Sequence, residues 1–397
     1  MLIVNSTKDF TFKRSVRLAR QTLTAVLLSI GVCLPLSDVA VGQDAAVGQD
    51  AAAKDKASTQ KPQKFIVRTA GAELRTPGKI VWRAYLGETY TVDQQKDEWL
   101  WVQEKGGWIW VQNTLPFDSA IDITTKEIEK EASAENYHLR GVAYLAHGMP
   151  DKAIEDFNNS LKKKAGTAGV LNNRGTAWYE KENYTNAKAD FTAAVQSSKT
   201  HFVAYNNRAL CSIAEENYPS ALADLNAAIG MSKEYPEALN NRGVVYSRQG
   251  DYAKAINDFS AAIKIYNRYQ EALGNRSYAY RQSGDFPKAI ADLELAIKFD
   301  PLAHEPVNDL AWIYATAKSK TFRNGKKAVS LATMACEMTQ YRDWNTLDTL
   351  AAAFAASGDF SSAVQWVSTA IKNAPEERKA SLMEHQEAFQ ANQALEK

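Results

Sequence analysis

The chain has 397 residues, 45% hydrophobic and 23% charged, which is enough for two or three globular units and too apolar for disorder to be the default. Its 47 Lys and Arg balance 46 Asp and Glu to a formal charge of +1, so no surplus positive field exists to hold a phosphate backbone, and nucleic acid is excluded as the expected partner.

In chain order, Lys13, Arg14, Arg17 and Arg20 precede the apolar run Leu23 to Leu36 and then the small residues Ala40, Val41 and Gly42. That order predicts a secretory signal over 1–42, cleaved after Gly42, or an uncleaved anchor that would tie the chain to a membrane. The run falls short of the roughly 18 residues that span a bilayer, and Pro35 interrupts it. Export to the periplasm or cell envelope is therefore expected. Residues 43–62 duplicate Val-Gly-Gln-Asp-Ala-Ala and continue in small and charged residues, which predicts a flexible linker.

Across 63–116, short runs such as KIVWRAYL, TYTVD, WLWVQ and GWIWVQ alternate apolar and polar residues between turn signals at Thr76-Pro77-Gly78, Gly87-Glu88 and Gly106-Gly107. Closely spaced strands of this kind predict a small all-β barrel or curled sheet. The order AELR, TVDQQKDEWLWVQ, GGWIWVQNTLP resembles the bacterial SH3-like domain family, whose members bind cell-wall glycopeptide, protein or nothing known, which implies a binding module without naming its ligand. Trp82, Trp99, Trp101, Trp108 and Trp110 are dense for such a domain. Either alternate ones fill a small core, or some face outward as an aromatic strip; strand periodicity puts Trp99 with Trp101 and Trp108 with Trp110 without saying which face is dry. Residues 117–133 read as a helical lead-in.

From 134 the chain repeats every 34 residues: Gly141, Gly175, Ala209, Gly243 and Ser277 mark a small position, followed twelve residues later by Ala153, Ala187, Ala221, Ala255 and Ala289. Four further on stand Phe157, Phe191, Leu225, Phe259 and Leu293. Two more units fit around Ala311 and Ala351, with a basic insertion, AKSKTFRNGKK, between the two helices of the sixth unit. The pattern resembles the tetratricopeptide repeat, which implies a mainly α fold: a right-handed α-solenoid of about seven helical hairpins over 134–375, with 376–397 as a capping helix.

Arg140, Arg174, Arg208, Arg242 and Arg276 precede the small position, and Asp156, Asp190, Asp224, Asp258 and Asp292 follow sixteen residues after each. In the last two units both charges vanish together, leaving Leu310 with Leu331 and Leu350 with Trp366, so structural ion pairs between packed helices are expected, within or between units. Asn173, Asn207, Asn241 and Asn275, with Asn172, Asn206 and Asn240, recur on the first helices. Because first helices line the concave face of such arrays, these amides are candidates for gripping the backbone of an extended peptide, alternatively for bonding between repeats. The arrangement resembles the asparagine ladder in the repeat array of O-linked N-acetylglucosamine transferase, although no transferase domain accompanies it. Thr176, Tyr179, Leu210, Ile213 and Val244 are expected beside the ladder, giving way to Arg248, Tyr278 and Arg281, a charged stretch suited to an acidic segment.

No catalytic constellation emerges. His138, His147, His201, His304 and His385 lack metal-ligand spacing and read as surface residues, and Asn324-Gly325-Lys326-Lys327 lacks the rest of a phosphate loop. Cys211 and Cys336 read as core residues in different repeats. The expected function is an exported, non-enzymatic scaffold without cofactor that binds extended segments of other proteins. The alternative is a cell-wall glycan-binding protein acting through the tryptophan-rich domain, and a third reading is a subunit of a larger enzyme complex.

Overall fold

The computed structural model describes residues 58–397 except 70, 77, 78, 85, 103, 104, 165 and 397. The signal or anchor over 1–42 and nearly all of the linker lie outside the described residues. The described residues fall into two compact units, divided in sequence after residue 165.

The first unit opens with a seven-stranded antiparallel sheet: β1 (Ser58–Val67), β2 (Ala72–Thr76), β3 (Lys79–Ala84), β4 (Thr89–Lys96), β5 (Trp99–Val102), β6 (Gly107–Trp110) and β7 (Thr114–Pro116), in the order β3-β2-β6-β5-β4-β1-β7. β1 thus begins inside the stretch read as linker. The two outer strands, β3 and β7, do not pair with each other, so the sheet stays open where an SH3-like barrel was expected. Phe65, Val67, Leu74, Tyr90, Val92, Leu100, Val102 and Ile109 form its dry face. Three helices follow, α1 (Ala120–Lys130), α2 (Ala134–Ala146) and α3 (Pro150–Lys163), the last two an antiparallel hairpin.

The second unit continues with hairpins α4/α5 (Ala168–Glu180, Tyr184–Ser197), α6/α7 (Phe202–Ala214, Tyr218–Met231), α8/α9 (Pro236–Arg248, Tyr252–Ile265) and α10/α11 (Gln270–Gln282, Phe286–Phe299). Then come α12/α13 (His304–Thr316, Gly325–Met338), α14/α15 (Trp344–Ser357, Phe360–Asn373) and a final helix, α16 (Glu376–Gln390). The chain is therefore mainly α, with 16 helices among the described residues, and the hairpins of the second unit stack in a tetratricopeptide-like solenoid arrangement.

The turns of four successive hairpins are written in the sequence. Asn183, Asn217, Asp251 and Asp285 cap the second helices, each side chain accepting the backbone N–H three residues on. Such caps satisfy donors that the first helical turn leaves unbonded. The residue before each cap adopts a left-handed conformation: Gly250 and Gly284 do so freely, whereas Glu182 (φ 59°) and Glu216 (φ 56°) carry a side chain there.

The small position is explained by its partner sixteen residues on. A Cβ at Gly141, Gly175 or Gly243 would stand 2.5, 2.7 or 2.6 Å from the ring of Phe157, Phe191 or Phe259. Where that partner is leucine, Leu225 or Leu293, the small residue is Ala209 or Ser277. Ring and glycine fit as a pair, since interiors tolerate neither overlap nor void.

Candidate functional site: the groove of the last four repeats

The five Arg–Asp columns close within each hairpin as two-pronged pairs. Arg208 donates from Nε and Nη2 to Asp224 at 2.8 and 2.7 Å, and Arg242 to Asp258 at 2.7 Å twice. Arg276 does the same to Asp292 at 2.8 and 2.7 Å, Arg174 to Asp190 at 2.8 and 2.6 Å, and Arg140 to Asp156 at 2.7 and 2.9 Å. The aspartates are buried, and their bonds raise the pKa of Arg140, Arg208, Arg242 and Arg276 further above the ordinary guanidinium value, against the opposing effect of burial. The remaining nitrogen reaches backwards: Arg208, Arg242 and Arg276 donate from Nη1 to Thr192, Asn226 and Ser260 on the second helix of the preceding hairpin. One guanidinium thus ties two helices of its own unit and one of its neighbour.

The asparagines form a second set of ties. Asn207, Asn241 and Asn275 donate from Nδ2 to the Oδ1 of Asn172, Asn206 and Asn240, at 3.0, 2.8 and 2.9 Å, each bond joining successive first helices. Asn172 and Asn206 also donate to their own neighbours Asn173 and Asn207 at 3.2 Å. Asn172, Asn206, Asn240 and Asn275 are buried. Of the residues expected beside them, Tyr179, Ile213 and Val244 are 8%, 1% and 6% exposed; they fill space between helices and do not form an open wall.

The ladder stops at Gly274. That residue occupies the column of Asn172, Asn206 and Asn240, so the next unit, which brings Asn308 and Asp309 to the two ladder positions, finds no amide to bond. A cavity of about 820 Å³ opens there, along the first helices α8, α10, α12 and α14 and the last helix α16. Arg248, Tyr278 and Arg281 line it; Asn172, Asn173, Asn206, Asn207, Asn240, Asn241 and Asn275 do not.

Its walls combine aromatic faces with charge. Tyr252 and Tyr278 meet edge to face at 6.5 Å, the Arg281 guanidinium lies 5.4 Å from the Tyr278 ring centre, and Arg378 lies 6.0 Å from that of Trp344. Desolvation pulls the Arg281 pKa below its usual value, opposed by Asp309 and the two tyrosines, and desolvation raises the Tyr252 pKa. Lys318 adds a fourth cation, while Asp309, Asp348 and Glu396 supply acceptors. The Oδ1 of Asn308, which is 3% exposed, has no hydrogen-bond partner and faces this cavity.

His385 corrects the expectation of a surface histidine. It is 6% exposed on α16, and its Nδ1 lies 2.9 and 3.1 Å from the two carboxylate oxygens of buried Asp348 on α14. Asp348 takes the ladder column in the last unit, so the final helix completes with an imidazole what the earlier units complete with an amide. Trp344, Asp348 and Arg378 were missed because they follow the insertion, and re-setting the columns after Asn324 places Asp348 with the asparagines; Trp312 and Asn308 stand 34 residues after Tyr278 and Gly274, ahead of the insertion. Cys211 and Cys336 are both fully buried, and burial raises their pKa to about 12 and about 11. No cluster of metal-ligating side chains occurs among the described residues.

Stacked helical hairpins knit by repeating polar columns, with a groove along their first helices, define a helical-repeat protein. Residues 138–201, 236–269 and 270–301 match models of the tetratricopeptide repeat, and the chain carries these repeats. No curated protein matches the chain. Among solved structures, the Cut9–Hcn1 hetero-tetramer of the APC/C is similar at 17% identity and a TM-score of 0.53, covering 60% of this chain and 46% of that one. Yeast Tom70 is similar at 16% identity and a TM-score of 0.50, covering 69% of this chain and 59% of that one. The chain thus spans about half the length of these neighbours, and the likeness is one of fold. That fold is consistent with a protein–protein interaction scaffold, and no catalytic family is indicated.

Proposed function

We propose that the chain is an exported, non-enzymatic scaffold that holds an extended, acidic segment of a partner protein in the groove of its last four repeats. The observation carrying this reading is the cavity of about 820 Å³ in which four cationic side chains, Arg248, Arg281, Lys318 and Arg378, stand among tyrosine and tryptophan faces. Guanidinium groups bond carboxylates through paired donors and stack on rings, so aspartate, glutamate and aromatic side chains on the ligand would each find a partner. The buried Oδ1 of Asn308 offers an acceptor for a ligand backbone N–H. The asparagine ladder leads up to the site, because its amides engage one another and fix the spacing of the preceding first helices.

Export rests on the charged, apolar and small-residue order of 1–42, and N-terminal sequencing of the mature protein should begin at Gln43. The groove is tested by selecting peptides from a random displayed library and measuring their affinity for the purified chain. Enriched sequences should be acidic and aromatic, and Arg281→Ala with Arg378→Ala should weaken them at least tenfold while leaving the melting temperature nearly unchanged. Asn207→Ala with Asn241→Ala should instead lower the melting temperature. Selected peptides that bind the arginine variant as tightly as the parent would sink the reading.

A further inference from the structure

The basic insertion between α12 and α13 breaks the 34-residue spacing, and beyond Lys318 the groove reading gives it no role. It forms a braced loop. Phe322 stacks on Phe286 with ring centres 5.5 Å apart, the Asn324 backbone N–H donates to the Tyr314 carbonyl at 2.8 Å, and Lys327 Nζ donates to the Tyr314 hydroxyl at 2.7 Å. Arg323 Nε donates to the Ala317 carbonyl at 3.1 Å, which fixes the guanidinium on the loop. Its Nη1 donates to Oε1 of Glu396, 73 residues on, at 3.1 Å, and Nη2 lies at the same distance from that oxygen. The chain returns to this loop because the array closes on itself: the hairpin α14/α15 separates α16 from α12, yet the His385 ring centre lies 6.0 Å from that of Trp312. The exit from α16 is also fixed. Asn392 is left-handed (φ 57°), and the N–H groups of Asn392 and Gln393 donate to the Phe389 and Ala388 carbonyls, the paired bonds that end a helix on such a residue. Ala394 and Leu395 then pack half-buried against the core of the last units, and Glu396 enters the groove wall.

We propose that residues 391–396 are an autoinhibitory strap, which holds Glu396 in the groove of the free chain and gives way to the acidic segment of the partner; this rests on the groove reading above. Glu396 already presents what that reading expects of a ligand, a carboxylate on a short stretch of chain beside an apolar residue. A ligand carboxylate entering the same cavity meets it as a like charge, so strap and ligand exclude each other. The tie is built to be released. Arg323, which holds Glu396, does not line the cavity, so letting go leaves Arg248, Arg281, Lys318 and Arg378 in place for the ligand. The Glu396 side chain is 60% exposed, and an ion pair so open to water contributes little by itself. With one half-buried leucine added, the strap biases the groove without locking it. A ligand that needs the open form pays for the closed fraction in apparent affinity: a strap closed in about three of four molecules weakens binding about fourfold. Two other roles for the segment predict different behaviour. As a mere cover for the apolar core it would leave affinity untouched, and as part of the binding wall it would strengthen it.

The test titrates the full chain into a fluorescein-labelled hexapeptide of alternating glutamate and tryptophan, read by fluorescence anisotropy. Glu396→Gln and Arg323→Gln remove charges of opposite sign, yet each should tighten binding about threefold or more, because each unties the strap. Combining them should add little to either alone, since both remove one tie. Leu395→Ser changes no charge, should tighten binding as well, and serves if Arg323→Gln unsettles its loop. Opposite effects of Glu396→Gln and Arg323→Gln would reduce the result to the net charge of the groove and overturn the strap. Unchanged or weaker binding by Glu396→Gln and Leu395→Ser would overturn it too, the first leaving the segment as a cover and the second making it part of the wall. Failure of the groove reading looks different: the probe then binds neither parent nor variants, or binds Arg281→Ala with Arg378→Ala as tightly as the parent, and the strap falls with it.

Discussion

Gly175→Ala is the perturbation whose sign depends on one other side chain. In the native background the new methyl would lie 2.7 Å from Cε1 and 2.8 Å from Cδ1 of Phe191, a ring 1% exposed with nowhere to swing. Overpacking of that kind costs about 1–3 kcal/mol, of which the better helix propensity of alanine returns up to about 1. The net effect is a loss of up to about 2 kcal/mol. In a Phe191→Leu background the ring is gone, and the pair becomes the alanine–leucine combination that Ala209 and Leu225 already form. There Gly175→Ala should stabilise by about 0.5–1 kcal/mol, giving a coupling of about 1–3 kcal/mol between the sites. Hydrogen–deuterium exchange of the α4 amides reads this locally, which suits a repeat array whose units need not unfold together. The same sign of effect in both backgrounds would refute the packing argument.

Three further expectations follow from the same geometry. Glu216→Gly should raise stability by up to about 1 kcal/mol by chemical denaturation, because it relieves a left-handed residue at a turn where Gly250 and Gly284 stand in later units. Arg242→Leu alone should cost about 3 kcal/mol by leaving buried Asp258 unpaired, and adding Asp258→Leu should recover most of it, as Leu350 and Trp366 do naturally. Burial against Phe157 pulls the His138 pKa down to about 4, so the unfolded chain binds a proton that the folded one refuses. Stability is then complete above the unfolded value near 6.5 and is lost at about 1.4 kcal/mol per pH unit as pH falls from about 6.5 towards 4. Melting of the chain between pH 7 and 5 should show that slope, and His138→Phe should flatten it.

Much of this was legible because each helical unit solves one packing problem with the same residues. The small position, the bulky partner sixteen residues on and the Arg–Asp pair all recur at a fixed spacing, so the sequence alone placed them on facing helices. The sheet was harder to read. Period-two alternation put Trp99 with Trp101 on one face, but choosing the dry face required knowing that Leu100, Val102 and Ile109 suffice to fill the core, a fact of three-dimensional pairing. Closure of the strands into a barrel likewise depends on whether β3 meets β7, and no local residue pattern specifies that. The groove was half legible: Arg248, Tyr278 and Arg281 were found by column and Trp312 stands in the column of Tyr278, whereas Asp348 and His385 lay behind an insertion that shifted every later column.

Gly274 shows how the array trades one use of a column for another. In three successive units an asparagine there accepts a bond from the next first helix, and the concave side is closed by amides. At Gly274 the bond is missing and the cavity begins. Gly274→Asn would put a side-chain N–H donor within the column that faces Asp309, an acceptor, extending the ladder by one step and filling the floor of the groove. The helix interior gains a few tenths of a kcal/mol from the lost glycine, and the new hydrogen bond to a charged acceptor adds about 1.5–3. The variant should therefore melt at or above the parent temperature while losing affinity for any peptide selected on the groove by tenfold or more. Loss of both properties would mean that Gly274 is required for packing, and retention of peptide affinity would mean that the ligand does not reach the floor between Arg248 and Asp309.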